Sequence, residues 1–142
     1  MKKIFLFLCL CFCLCLVGCS KVDVSSIIDE KIEASFNDKS EEYKNAYLEK
    51  FSYTINSEEN IDSETIKANI SVTQKSIKEV CGLSIKKQME NITNSDYTSE
   101  KSIIDSFKEV ETISTNDYDV ELKLVDGKWT IADTTFLFDT TK

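Results

Sequence analysis

The side chains that could do chemistry are few, because the 142-residue chain contains no histidine. Without histidine, neither a Ser-His-Asp triad nor a Cys-His pair can form, and zinc sites with histidine ligands are excluded as well. The three glycines are far apart, so there is no glycine-rich phosphate loop. The acidic clusters Glu41-Glu42 and Glu58-Glu59-Asn60-Ile61-Asp62 lack the spacing of a calcium-binding loop and could bind Ca²⁺ only weakly. We interpret them as solvated surface charge.

One cysteine lies in a context that points to a specific modification. Two lysines precede the apolar run 4–17, which has signal-peptide length and is short for a membrane-spanning helix of about 20 residues. The run ends at Leu16-Val17-Gly18-Cys19, and a polar sequence follows. This segment resembles the lipobox of bacterial lipoproteins.

The lipobox resemblance implies that residues 1–18 are removed by cleavage between Gly18 and Cys19. Cys19 would then carry diacylglycerol and acyl chains, and no other cofactor is expected. The mature protein would be extracytoplasmic and lipid-anchored to the bacterial cell membrane, or to the outer membrane if the host has two membranes. An ordinary secretory signal and an uncleaved anchor helix are the alternatives.

The remaining cysteines argue against a disulfide framework. Four of the six lie within the removed segment, where they act as small apolar residues: Cys9, Cys11, Cys13 and Cys15. With Cys19 lipidated, Cys81 is the one thiol left, so no intramolecular disulfide is expected despite export. Cys81 falls in an apolar helical stripe, which predicts a small buried residue. A reactive thiol or an intermolecular bridge is the alternative.

The charge of the mature chain restricts its partners. Removal of residues 1–18 takes away two of 17 lysines and no acidic residue, which leaves 124 residues with a net charge of −10 instead of −8. An acidic chain without arginine argues against nucleic acid as a partner, because phosphate binding needs cationic contacts. We therefore expect the acyl chains, rather than adsorption to anionic lipids, to hold the protein on the membrane. After a tether over 19–24, residues 25–142 suit a single domain.

Helical periodicity marks the beginning and the middle of this domain. Ser25 is a candidate N-cap for a first helix, and a second helix is predicted over Glu41–Lys50. A third helix is predicted from Ser76, which Gly82 could bend, and a fourth over 99–110. The residues expected on the buried faces are Ile28, Ile32 and Phe36 in the first helix; Tyr43, Ala46, Tyr47 and Leu48 in the second; Ile77, Val80, Cys81, Ile85, Met89 and Ile92 in the third; and Ile103, Ile104, Phe107 and Val110 in the fourth.

Apolar and polar residues alternate in three other stretches, which predicts strands. The stretches 51–55 and 66–72 are predicted to pair as antiparallel strands, with a turn over the polar residues 57–60. The third stretch begins near Tyr118, where Asp117 and Asp119 fall on the polar face. Phe136-Leu137-Phe138 is expected to continue the sheet or to cover its end.

The third stretch contains a hairpin signal with a defined register. Asp126-Gly127 is a preferred pair for a type I′ loop, which needs positive φ at both positions. With that loop, the predicted partners are Val125 with Lys128, Leu124 with Trp129, Lys123 with Thr130 and Leu122 with Ile131. A slip of one residue would expose the tryptophan face.

The predicted order of elements favours an α+β fold, with N-terminal helices and a central helix packed on one face of a curved antiparallel sheet. The hairpin Val120–Ile131, with its Asp-Gly-Lys-Trp turn, follows two early helices and a strand pair. In this it resembles small bacterial lipoproteins of the nuclear-transport-factor-two-like (cystatin-like) superfamily. The resemblance implies a curved sheet wrapped on a long helix, often with a conical pocket. The helical segment 99–110 and the few C-terminal strands depart from that pattern.

That resemblance does not select a function, because the superfamily includes enzymes and non-catalytic binding domains. We expect a membrane-anchored, non-catalytic binding module that contacts an envelope protein or a small apolar ligand. A narrower version is an immunity-type or inhibitor lipoprotein that binds a basic exported partner through its acidic surface. The alternative is an isomerase or dehydratase that uses a buried Asp or Tyr, such as Tyr53 or Tyr118, in the conical pocket. Trp129 is expected to lie in the core rather than to form a ligand platform.

Overall fold

The computed structural model describes residues 21–142. The lipobox Leu16–Cys19 lies outside the described residues, so its processing stays a prediction. In chain order the elements are α1 (Val24–Ser35), α2 (Glu41–Leu48), β1 (Ser52–Asn60), β2 (Thr65–Lys75), α3 (Ile77–Glu90), α4 (Ser99–Glu109), β3 (Ile113–Val125), β4 (Lys128–Ile131) and α5 (Thr135–Phe138).

The four strands form one antiparallel sheet in the order β1-β2-β3-β4, and the helices cover one of its faces. This confirms the predicted α+β class. Because side chains alternate along a strand, the inner sheet face is apolar and the outer sheet face is polar. The pair α3–α4 is inserted between β2 and β3, whose pairing extends to Lys75 and Ile113. The inner face contributes the buried residues Ile66, Ala68, Ile70, Val72, Val120, Leu122 and Ile131 to the core.

The C-terminal hairpin has the predicted turn and register. Asp126 has φ of 50° and Gly127 has φ of 78°, so both turn residues are left-handed, as a type I′ loop requires. Val125 pairs with Lys128, and Leu124 pairs with Trp129. The turn chemistry and the alternation of apolar residues demand the same pairing, so this register is confirmed.

The first helix confirms its predicted buried face but not its predicted cap. Ile28, Ile32 and Phe36 are buried. The N-cap is Asp23 rather than Ser25, and its carboxylate accepts a hydrogen bond from the backbone N–H of Ser26. A carboxylate at this position satisfies an exposed N–H and also lies favourably in the helix dipole. The helix therefore begins at Val24, the last residue of the expected tether.

The first strand is longer than predicted, and the predicted turn over 57–60 is wrong. Residues up to Asn60 pair with β2, and the register shifts by one residue between Ile55 and Ser57. This bulge makes Asn56 an extra residue and lets the strand continue beyond it. The chain reverses over 61–64, where the Asp62 carboxylate accepts from the backbone N–H of Glu64.

The third helix is continuous through Gly82, and the predicted burial of Ile77 and Val80 is confirmed, but the rest of the predicted face is not buried. Ile77, Val80 and Ser84 are buried. The predicted buried positions Cys81, Ile85, Met89 and Ile92 are exposed, so those predictions are wrong. The partner of α3 is α4, and the two helices meet through a hydrogen bond of 2.7 Å between the Ser84 and Ser102 hydroxyls. Small side chains let the helices approach closely, which turns the stripe of larger residues outward.

The remaining core residues lie close to their predicted places. Tyr43, Ala46 and Tyr47 are buried on α2, and Leu48 is half-buried. On α4, Ile104 and Phe107 are buried, and Val110 is buried just beyond its end. Residues 136–138 form α5 and not a strand, and Phe136 and Leu137 cover the core.

Candidate binding surface

Tyr53 is one of the three side chains singled out as pocket or core residues. It is half-buried on the inner face of β1 and packs against the core. Its hydroxyl donates to the Asp29 carboxylate at 2.7 Å and lies 3.2 Å from the Ser25 carbonyl oxygen. Burial, followed by the contact with Asp29, raises the pKa of Tyr53. The tyrosine therefore ties the beginning of α1 to the edge strand of the sheet.

Tyr118 occupies a separate place on β3. Its hydroxyl donates to the Asp139 carboxylate at 3.3 Å, and the Lys142 ammonium lies 4.6 Å from the ring centroid. Burial, with Asp139 as the next cause, raises the pKa of Tyr118 to about 12. Hydrogen bonds from Thr141 hold the pKa of Asp139 below its ordinary value. These contacts fasten the C-terminal residues to the sheet.

Trp129 lies half-buried on β4, beside α1. It lines a shallow cleft of about 170 Å³ together with Ile27, Ala34 and the ion-paired side chains of Glu30 and Lys128. Its ring packs against the core cluster. The cleft is therefore a seam between α1 and β4, to which the tryptophan contributes part of one wall.

The three residues do not form a common site. Tyr53 lies on β1, Tyr118 on β3 and Trp129 on β4, and neither tyrosine lines the cleft beside the tryptophan. The enzyme hypothesis needs a pocket carboxylate with a raised pKa. At the pair Tyr118–Asp139 the pKa of the carboxyl group is lowered instead. The raised carboxyl pKa that the enzyme alternative requires is therefore not found at this pair.

The structure brings another set of side chains together on the outer sheet face. Asn56 donates to the side-chain oxygens of Asn69 and Ser71, both at 2.8 Å. Asn69 then donates to Asp119 at 2.8 Å, and Ser71 donates to Asp117. The hydrogen bonds all run from β1 through β2 to β3. They order five polar side chains on a surface that no helix of residues 21–142 covers.

The bulge in β1 makes this network possible. It makes Asn56 an extra residue of β1, which is not paired with a single residue of β2. The Asn56 amide therefore reaches both Asn69 and Ser71. The polar alternation of β2 and β3 was visible in the sequence, and it placed Asp117 and Asp119 on the polar face. The contribution of Asn56 was missed, because a bulge depends on pairing with a distant strand.

The outer sheet face also carries net negative charge. A shallow depression of about 290 Å³ lies there, with Glu59, Asp119 and Glu121 around the ammonium-bearing Lys67. Glu121 forms an ion pair of 2.9 Å with Lys123, whose hydrogen bond lowers the pKa of Glu121. The side chains that form the outer sheet face include Ser52, Thr54, Asn56, Ser57, Glu59, Lys67, Asn69, Ser71, Thr73, Thr115, Asp117, Asp119, Glu121 and Lys123.

Such a surface can donate and accept hydrogen bonds and can attract cationic groups. Asp119 accepts from the Asn69 amide and Asp117 accepts from the Ser71 hydroxyl, and these hydrogen bonds order both carboxylates for contact. Within residues 21–142, no group of three or more His, Cys, Asp or Glu side chains is placed to hold a metal ion. Nor is any helix of that part of the chain long and apolar enough to cross a membrane.

Comparisons with known proteins do not assign the chain to a family. No family model, curated protein or solved structure matches it. The resemblance to nuclear-transport-factor-two-like lipoproteins therefore stays a prediction, based on the hairpin Val120–Ile131 and on the order of the elements.

Proposed function

We propose that this protein is a membrane-anchored, extracytoplasmic lipoprotein that binds an envelope protein through its outer sheet face, without catalysis. The observation that carries the proposal is the hydrogen-bonded polar network on that face. Ordered side chains lose less conformational entropy when a partner binds. The five described helices leave this network uncovered, which supports its use as a contact surface for another molecule.

The anchor is supported by the sequence Leu16-Val17-Gly18-Cys19 and its flanking residues. Lipidation at Cys19 would place the domain outside the cytoplasm and against a membrane. There it would meet other envelope proteins at high local concentration. The binding function and the anchor are thus parts of one proposal, but each can be tested alone.

The area of the surface supports a transient complex. The 11 residues of β2 span about 36 Å, and three neighbouring strands add a width of about 14 Å. The product, roughly 500 Å², is below the ~800 Å² that each partner buries in a standard stable interface. We therefore expect fast dissociation, unless the partner also contacts the flanking loops.

Charge supports a partner with cationic groups. Four carboxylates and two ammonium groups lie on the outer sheet face, and the mature chain carries a net charge of −10. Association with such a partner would be accelerated electrostatically and weakened by salt. This charge supports the narrower hypothesis of an immunity-type or inhibitor lipoprotein, with the outer sheet face as its proposed binding surface.

The experiment uses a photo-crosslinking amino acid in the full-length protein, expressed in its native host. Thr115 is an exposed position on the outer sheet face, and Asn45 on α2 is the exposed control. We expect a discrete protein adduct from position 115 that is absent from position 45. Equal adducts from both positions, or none from any outer-face position, would contradict the proposal.

Charge variants sharpen the test. The double variant Asp117→Asn/Asp119→Asn keeps the oxygen acceptors for Ser71 and Asn69 but removes two charges. We expect the adduct yield to fall roughly threefold to tenfold. The matched control Glu41→Gln/Asp96→Asn removes two exposed charges elsewhere and should leave the yield unchanged. A reproducible substrate turnover that one point substitution abolishes would instead favour the enzyme alternative.

A further inference from the structure

The most exposed large hydrophobic side chains of the described residues follow one line along α3. Ile85 is 60% exposed, Met89 is 70% exposed and Ile92, just beyond the helix, is 83% exposed. Cys81 is exposed one turn before Ile85. We name these four residues the α3 stripe. Soluble monomers rarely leave such a contiguous apolar stripe uncovered.

The charges around the stripe distinguish it from the rest of this acidic protein. At about 100° per residue, the positions within about 60° of Ile85 include Lys78, Gly82 and Gln88, but no carboxylate. The acidic residues of α3, Glu79 and Glu90, lie about 120° and 140° away. A helix face with apolar residues and a single lysine can enter a lipid interface without desolvating a carboxylate of α3, and the lysine can extend its ammonium to the headgroups.

The short tether adds a second, independent argument. Val22 already packs against the core, and the Lys21 ammonium lies 3.9 Å from the Glu58 carboxylate. Only three peptide links separate Val22 from Cys19, which is at most about 11 Å. A domain of this size is roughly 35 Å across. An anchor at Cys19 would therefore keep the domain in contact with the bilayer, and some face of it must rest there.

We propose that the α3 stripe rests on the lipid bilayer, with Ile85, Met89 and Ile92 at the boundary between headgroups and acyl chains. This inference rests on the proposed lipid anchor and names the surface that the anchored domain turns to the membrane. Because the outer sheet face belongs to a different part of the domain, membrane contact through α3 leaves that face open to a partner.

Cys81 provides a direct probe, since it is the one free thiol expected in the lipidated protein. The lipidated protein is labelled there with a fluorophore and reconstituted into phosphatidylcholine vesicles, which carry no net charge. The control is Cys81→Ser/Thr130→Cys, labelled at an exposed residue of β4 that pairs with Lys123. Quenching by aqueous iodide is measured before and after reconstitution.

We expect vesicles to reduce iodide quenching at Cys81 by about threefold or more, because the label enters the interface, and to leave quenching at Thr130 unchanged. Equal quenching at both positions in vesicle-bound protein would overturn the inference. So would shielding of Cys81 that increases with protein density on the vesicles, since that outcome indicates a second copy of the chain on the stripe.

A pair of variants separates this inference from the anchor itself. Ile85→Ser/Met89→Ser should restore quenching at Cys81 while the protein still sediments with vesicles. Val125→Ser changes an exposed hydrophobic residue in the hairpin and should have no effect on Cys81. If the unsubstituted protein does not associate with vesicles at all, the proposed anchor fails; if it associates and Cys81 stays accessible, only the α3 stripe fails.

Discussion

Replacing Gly127 by alanine should weaken the hairpin by a magnitude that follows from backbone geometry alone. Gly127 has φ of 78°, and a Cβ placed there meets no atom within 4 Å. No steric clash contributes, so the cost is the left-handed backbone of a residue with a side chain, about 1–2 kcal/mol. The loop holds Leu124 opposite Trp129, so the cost should appear in global stability.

Gly82 supplies a matched control of opposite sign. It lies within α3, is exposed, and a Cβ there also meets no atom within 4 Å. Alanine is favoured over glycine in a helix interior by about 1 kcal/mol. Gly82→Ala should therefore stabilise the protein, although both substitutions add the same methyl group at an open position.

The assay is thermal unfolding, followed by circular dichroism and by the fluorescence of the single tryptophan. A domain of about 120 residues has an unfolding entropy near 0.25 kcal/mol/K, so each kcal/mol shifts the Tm by about 4 °C. We expect Gly127→Ala to lower the Tm by about 4–8 °C and Gly82→Ala to raise it by about 4 °C. A neutral Gly127→Ala, or shifts of the same sign for both variants, would refute the type I′ geometry or the continuous helix.

Three further predictions concern tyrosines and the free thiol. The pKa values of all five tyrosines are raised, that of Tyr118 to about 12 from 10.0. The stabilising contribution of Tyr118 is therefore complete below pH 10 and is lost as pH rises through about 12. Tyrosinate absorbance should stay low at pH 10 in folded protein, and half-titration there would contradict these environments. The Cys81 thiol is exposed, so Ellman's reagent should modify it as fast in native as in urea-unfolded protein; a requirement for denaturant would show that it is covered. Tyr47→Phe leaves the buried acceptors of Gln74 and Leu137 without their hydroxyl partner. The substitution should lower the free energy of unfolding, measured in urea, by about 1–3 kcal/mol, and a decrease below about 0.5 kcal/mol would contradict the buried hydrogen bond.

The parts of the fold that could be predicted from the sequence are those specified by neighbouring residues. The hairpin register follows from Asp126-Gly127 and from the alternation on either side of it, and both lie within a dozen residues. The buried face of α1 was predictable because Ile28, Ile32 and Phe36 recur every four residues along the chain. In each case local propensity and tertiary packing agree.

The wrong predictions lie where contact with a segment distant in sequence selects between two structures that the local sequence allows. Apolar residues on α3 follow a helical period on more than one face. Contact between Ser84 and Ser102 buries the face of Ile77 and Val80 and leaves Ile85 and Met89 exposed. The strand β1 continues through polar residues because β2 offers a pairing edge, at the cost of a bulge at Asn56. Neither the angular position of α3 nor the bulge is encoded in a short window of sequence.

The candidate functional residues likewise include some that a local motif predicts and others that depend on the pairing of strands. The proposed lipobox is a local motif, predicted from four residues and their flanks. The outer sheet face needs three strands in register before Asn56, Asn69 and Asp119 become neighbours. The alternation of β2 and β3 predicted which residues point outward, whereas the hydrogen bonds that order them follow only from the pairing of the strands.

The central claim is the lipid anchor, because both proposed surfaces presuppose a domain held at a membrane. Its most direct test is the intact mass of the protein purified from the membrane fraction of its native host, beside a Cys19→Ala variant. The account predicts a chain that begins at Cys19 and carries the mass of diacylglycerol and acyl chains, and a variant that lacks this modification. An unmodified soluble chain, or one that retains residues 1–18, would contradict the account.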